Sequence, residues 1–155
     1  MKILVTGGAG YIGSILVEKL LSENYEVFVY DNFIYKQNSL SHLCSNKNLH
    51  IEKGDVRNLS LLSNLLKKAD AIIPLAALVG APLCNSDPVG SKTINYDAVI
   101  GMLKNLSKEQ MVLMPTTNSA YGTTLNNDVC DEESSLNPIS IYAKDKVELE
   151  KILMN

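Results

Sequence analysis

The chain is poor in the residues that would announce several kinds of protein. It has three cysteines, Cys44, Cys84 and Cys130, which cannot all pair and form no CxxC. Free thiols in a reducing cytoplasm are the simplest reading of them. Only His42 and His50 are present, without metal-ligand spacing, so no metal site is expected. The formal net charge is −3, so there is no basic surplus for nucleic acid. No apolar run is long enough to span a bilayer. Glycines interrupt the first apolar segment too early for a signal peptide. Repeats, low-complexity tracts and internal linkers are also lacking. What remains is 155 residues, 46% hydrophobic and 20% charged, which suits one globular domain over 1–155.

Hydropathy patterning then alternates strands with helices. Residues 2–6 read as a buried strand and 11–23 as a helix with Ile12, Ile15, Leu16 and Leu20 near helical spacing. A second strand runs over 26–30 and ends on Asp31, with a short helix possible in "NSLSHLC". "NLHIEKGDVRN" holds a third strand and a turn at Gly54-Asp55, "LSLLSNLLKKA" is helical, and "ADAIIPLAA" is a fourth strand. Asp87-Pro88 reads as an N-cap with proline at the first helical position, opening a long helix to about Leu106. "QMVLMPTT" is a fifth strand, 120–140 is loop-rich, and a helix runs from Ile141 to the end. Pro74 and Pro115 sit late in their strands, where ladders finish. The alternation predicts an α/β fold, a doubly wound parallel sheet of Rossmann type in the order 3-2-1-4-5.

The densest signal is "TGGAGYIGS". Gly8, Gly10 and Gly13 fit GxGxxG, and Gly7, Gly10 and Gly13 fit GxxGxxG, between a strand and a helix. That is the context a dinucleotide-binding turn requires: a tight turn, bare backbone for a pyrophosphate, and close helix-to-strand packing. Backbone N–H groups and the helix dipole then attract phosphate. Asp31 stands at the end of the second strand, where an acid binds the adenine ribose hydroxyls and repels a 2′-phosphate. NAD is expected over NADP.

"TGGAGYIGS", "YDN", "GDVRN" and "LAA", in this order, resemble the extended short-chain dehydrogenase/reductase family, and within it the NAD-dependent sugar-nucleotide epimerase/dehydratase branch. The resemblance implies that Tyr11 and Ile12 sit on the pyrophosphate and that Asp31 and Asn32 take the adenosine ribose. It implies that Asp55 and Val56 flank the adenine, that Leu75, Ala76 and Ala77 line the cofactor groove, and that Asn95 lies near the cofactor. Asp55 and Asn95 also read as turn or cap residues on their own. Tyr142-Ala143-Lys144-Asp145-Lys146 gives YxxxK where this family keeps its catalytic pair. Residues i and i+4 share a helix face. Lys146 is therefore expected beside the Tyr142 phenol, where its ammonium, helped by the positive nicotinamide, favours a phenolate base; the resemblance implies that it also binds the nicotinamide ribose. Thr117 falls on the family's catalytic hydroxyl, with Thr116 and Ser119 as neighbours that could serve instead.

The dehydratases of the branch resemble Thr-Asp-Glu at the place where this chain has Thr117-Asn118-Ser119, which points to an epimerase. The implied substrate is a nucleotide sugar. The implied partner is a second copy, paired through helices 89–106 and 141–155. The resemblance also implies a substrate-holding second half beyond Asn155, so this chain is expected to be inactive alone. Truncation is expected to expose Val147, Leu149, Ile152 and Leu153. A non-catalytic dinucleotide-binding module, or a dehydratase or reductase of the same family, is the alternative.

Overall fold

The computed structural model describes residues 1–123 and 129–154. Of the loop expected over 120–140, residues 124–128 lie outside the described residues, as does Asn155. Five strands form one parallel sheet: β1 (Lys2–Thr6), β2 (Glu26–Asp31), β3 (Leu49–Lys53), β4 (Ala71–Pro74) and β5 (Met111–Val112). The order is β3-β2-β1-β4-β5, as the sequence predicts.

Period-two alternation sends the strand side chains to two separate cores. Leu4, Phe28, Tyr30 and Ile72 pack on one face with Leu62, Leu66, Val99, Met102 and Leu149. Ile3, Val5, Val27, Val29 and Ile73 pack on the other with Val17 and Leu21. The helices are α1 (Tyr11–Ser22), α2 (Leu59–Lys68), α3 (Ala81–Ser86), α4 (Pro88–Ser91), α5 (Ala98–Leu103) and α6 (Ile141–Met154). Asn58 caps α2 by accepting from the Leu61 N–H, and Asp87 caps α4 by accepting from the Gly90 N–H at 2.8 Å. No helix among the described residues is long and apolar enough to cross a membrane.

Four expectations need correction, and one helix was not expected. The buried positions of α1 are Gly13, Val17 and Leu21, while Ile12 and Ile15 are exposed. The long helix to Leu106 is interrupted by a π turn, Lys92–Asp97, and ends at Leu103. The short helix α3 was unforeseen. The fifth strand closes after Val112, so Pro115 lies beyond it. Val147 and Leu149 are buried, Leu149 completely, because α6 packs onto the core; Ile152 is exposed and Leu153 half-buried.

Candidate cofactor cleft and catalytic helix

β2 and β3 lie on one side of β1, β4 and β5 on the other, so the chain switches direction beside β1. The loops leaving β1 and β4 separate there, which is where a doubly wound sheet opens a crevice at its strand ends. A cleft of about 120 Å³ occupies this position. Gly7 and Gly10 line it after β1, Asp31 and Asn32 after β2, Asp55 and Val56 after β3, and Leu75, Ala76 and Ala77 after β4. The fold thus brings nine of the fifteen cofactor residues inferred from sequence to one wall system.

The glycines serve different ends. Gly7 has φ +69°, and a Cβ on it would lie 2.6 Å from the Ala76 nitrogen. A Cβ on Gly13 would lie 2.5 Å from the Gly7 carbonyl oxygen and 2.7 Å from Gly8 Cα. Those two are held bare by packing. Gly10 is not: a Cβ there would meet only the Gly7 oxygen, at 3.1 Å, and the residue faces the cleft. No side chain caps the N-terminus of α1, and no acid lies in its first turn. Its first N–H groups therefore lack intrahelical partners. A bare backbone at an uncapped helix start suits an anionic group such as a pyrophosphate. Tyr11 and Ile12 stand at this helix start, 88% and 64% exposed, outside the lining of the cleft.

The polar groups of the cleft are mostly committed to holding it. Buried Asp31 accepts from the Ala9 N–H through Oδ2 at 3.0 Å and from the Phe33 N–H through Oδ1 at 2.8 Å. It therefore ties the glycine turn to the loop after β2. Asn32 Oδ1 accepts from the Ile34 N–H at 3.0 Å. Asp55 accepts from Arg57 at both carboxylate oxygens, 2.9 and 2.5 Å, and these hydrogen bonds hold its carboxyl below the usual range. Tyr30, buried beneath, donates to the Asp55 carbonyl and has its phenol pushed up, chiefly by burial.

Asn95 does not line the cleft. It is buried in the π turn, where its amide brackets the Leu78 backbone: Nδ2 donates to the Leu78 carbonyl at 2.9 Å and Oδ1 accepts from the Leu78 N–H at 2.8 Å. It pins the loop that carries Leu75, Ala76 and Ala77, so it bears on the cleft through the backbone. Of its two readings from sequence, the structural one describes its contacts.

Thr117, Tyr142 and Lys146, the residues for which the resemblance implies chemistry, lie on the segments that follow β5. Lys146 is 6% exposed and its Nζ donates to the Pro115 carbonyl at 3.1 Å, tying α6 to the chain leaving β5. That Nζ lies 5.9 Å from the centre of the Tyr142 ring. Thr117 Oγ1 accepts from the Ser119 N–H at 3.2 Å and opens a 3-10 turn, Asn118–Tyr121, which packs against α6. Thr117 is half-buried; Thr116 and Ser119 are exposed. The chain's own groups, without the nicotinamide charge that the expectation includes, do not favour the phenolate. Burial, and secondarily Cys84, pushes the Tyr142 phenol up rather than down, and burial lowers the Lys146 ammonium. Lys146 Nζ, 5.9 Å from the ring centre, does not offset the effect of burial on the phenol.

Comparison with known proteins accords with this geometry. The sequence matches the model of the NAD dependent epimerase/dehydratase family over residues 3–155. It is 32% identical to UDP-glucose 4-epimerase GEPI42 of Cyamopsis tetragonoloba over 97% of this chain and 45% of that protein. It is 33% identical to UDP-glucuronic acid decarboxylase 1 of Arabidopsis thaliana over 100% of this chain and 36% of that protein. The chain thus spans less than half the length of either. Its fold superposes on UDP-glucuronic acid 4-epimerase from Bacillus cereus, solved with UDP-glucuronic acid and NAD, with a TM-score of 0.88 and 29% identity over 99% of this chain and 51% of that one. The chain belongs to the NAD-dependent epimerase/dehydratase family.

Proposed function

We propose that this chain is the cofactor-binding part of an NAD-dependent nucleotide-sugar epimerase. The observation that carries the reading is the pairing of two features in one fold. A cleft with its backbone bare at Gly10 lies at the sheet's switch point, and the helix carrying Tyr142 and Lys146 is tied through Lys146 to the Pro115 carbonyl on the segment leaving β5. The glycine turn and α1 would hold the pyrophosphate, and Asp31 and Asn32 the adenosine ribose. NAD, when bound, supplies the hydride acceptor that the side chains lack. Tyr142 takes the proton of a sugar hydroxyl, Thr117 hydrogen-bonds that hydroxyl, and Lys146 orients the nicotinamide ribose.

Asn118 and Ser119 favour epimerisation over dehydration, since neither supplies the carboxylic acid that water elimination calls for. The nucleotide sugar is carried over from relatives longer than this chain, and a substrate-holding region following it would position the reacting carbon. The test is calorimetry with NAD and NADP on the chain, and turnover in a protein where a substrate domain follows it. NAD is expected to bind more tightly than NADP, and Asp31→Ala to narrow the gap. Tyr142→Phe is expected to abolish epimerisation while leaving NAD binding largely intact. Equal affinity for the two dinucleotides, or a dehydrated product, would overturn the assignment.

A further inference from the structure

We propose that the reacting sugar is an uncharged hexose and not a uronic acid, because the three segments around Tyr142 carry no charged side chain to meet a carboxylate. The inference rests on the nucleotide-sugar reading above and names the class of sugar that reading leaves open. The chain leaving β4 runs past Leu78, a wall residue of the cleft, into α3, which packs on α6. The chain leaving β5 presents the Pro115 carbonyl to Lys146 and then forms the turn Asn118–Tyr121, which also packs on α6. The approach to α6 joins that turn, its Asn137 N–H donating to the Ala120 carbonyl at 2.8 Å. At the helix start Ser140 Oγ accepts from the Ala143 N–H at 3.1 Å.

Charged residues make up 20% of the chain, yet 75–86, 113–123 and 134–142 contain no Asp, Glu, Lys, Arg or His. Burial does not account for this. Val79 is 64% exposed and Ile139 63%, and Leu83, Leu136 and Ile141 are exposed as well. Exposed positions are where charged side chains ordinarily sit. A surface that lacks them is complementary to a ligand without charge. The groups at its border do not supply a counter-charge. Lys146 is 6% exposed, with its Nζ on the Pro115 carbonyl. Lys144 lies two residues past Tyr142 and so does not share its helix face. On the other border, burial raises the Tyr121 phenol, and Glu132, Cys130 and Asp131 add to it, so the nearby charge is negative. A uronic acid carries its carboxylate on the ring that bears the reacting hydroxyl. There it would meet repulsion, and as a like charge it would oppose ionisation of Tyr142.

The experiment compares UDP-glucose with UDP-glucuronic acid, a pair differing only at C6, as substrates of a protein in which a substrate domain follows this chain. Epimerised product is measured for wild type, Val79→Arg, Leu83→Lys and the uncharged control Val79→Gln. Wild type should favour the hexose in kcat/KM by about 100-fold or more, the effect of a charge left without a partner. Each cation should narrow that ratio about tenfold, while Val79→Gln leaves it in place and NAD affinity stays within twofold throughout. A wild-type ratio near one, or a preference for the uronic acid, would overturn the charge argument while the epimerase reading stands. A ratio unmoved by both cations would show that this surface does not meet C6 and would likewise overturn it. A wild type that binds NAD and epimerises neither sugar would overturn both.

Discussion

Gly10 and Gly13 separate a glycine kept for a ligand from a glycine kept for packing. At Gly13 an added methyl would sit 2.5 Å from the Gly7 oxygen and 2.7 Å from Gly8 Cα, backbone atoms with no rotamer to yield. Overpacking of this kind costs about 1–3 kcal/mol, and contact with backbone places it at the upper end. Alanine's better helix propensity returns about 1 kcal/mol. The net loss of about 2 kcal/mol lowers the melting temperature of a domain this size by about 4–8 °C. At Gly10 the backbone already has φ −73° and ψ −177°, which alanine adopts freely, and only the Gly7 oxygen is near. The stability loss there is about 0.5 kcal/mol, from the poorer N-cap. The methyl of Gly10→Ala instead enters the cleft and displaces the pyrophosphate from the bare N–H groups. Losing one charge-assisted hydrogen bond, about 1.5–3 kcal/mol, weakens NAD binding about 10- to 100-fold. Scanning calorimetry and titration calorimetry on the two variants make the comparison. NAD affinity of Gly10→Ala within twofold of wild type, or equal melting losses in both variants, would refute the division of roles.

Two further outcomes are expected. Burial holds the Lys146 ammonium below the ordinary lysine value, so between the folded and unfolded values the unfolded chain binds more protons. The stability cost of Lys146 is then full at neutral pH and fades as pH rises towards the unfolded value, so the melting-temperature advantage of Lys146→Met over Lys146 should shrink with pH. The scan is best run in a Tyr142→Phe background, and an advantage independent of pH would contradict the burial argument. Pairing with a second copy through 89–106 and 141–155 is proposed because Val89, Ile152 and Met154 expose apolar surface on those segments; sedimentation velocity should show a dimer, and a monomer at tens of micromolar would refute it.

The sheet was legible because Ile3, Leu4, Val5, Val27, Val29 and Ile72 are apolar wherever they point: strands covered on both faces carry no polar alternation to misread. The glycine turn and Asp31 were legible because their spacing is set by local backbone geometry. What failed depended on distant partners. Ile12 and Ile15 have helical spacing but face away from the core, whereas Gly13, without a side chain for a hydropathy pattern to register, holds a central buried position. The π turn is accompanied by the Asn95 clamp on Leu78, a contact made seventeen residues away. In α3 the six residues are too few for a period, and their Ala-Pro start reads as loop.

The raised phenol of Tyr142 leads to a prediction about where its basicity comes from. The chain's own groups give the phenol burial, which raises it, and the Lys146 Nζ, 5.9 Å from the ring centre, does not compensate. A phenol so placed stays protonated at neutral pH and cannot accept a proton from a sugar hydroxyl. A positive charge brought to the same face would favour the phenolate. Oxidised nicotinamide carries one and reduced nicotinamide does not. Tyr142 alone should therefore titrate above the ordinary tyrosine value, fall on addition of NAD, and stay high on addition of NADH. Carbon-13 labelling of the tyrosine ring, with Tyr142→Phe to assign the signal, follows the ionisation directly. A Tyr142 that ionises near neutral pH without NAD would mean that Lys146 does the work after all. A value unmoved by saturating NAD would mean that Tyr142 is not the base.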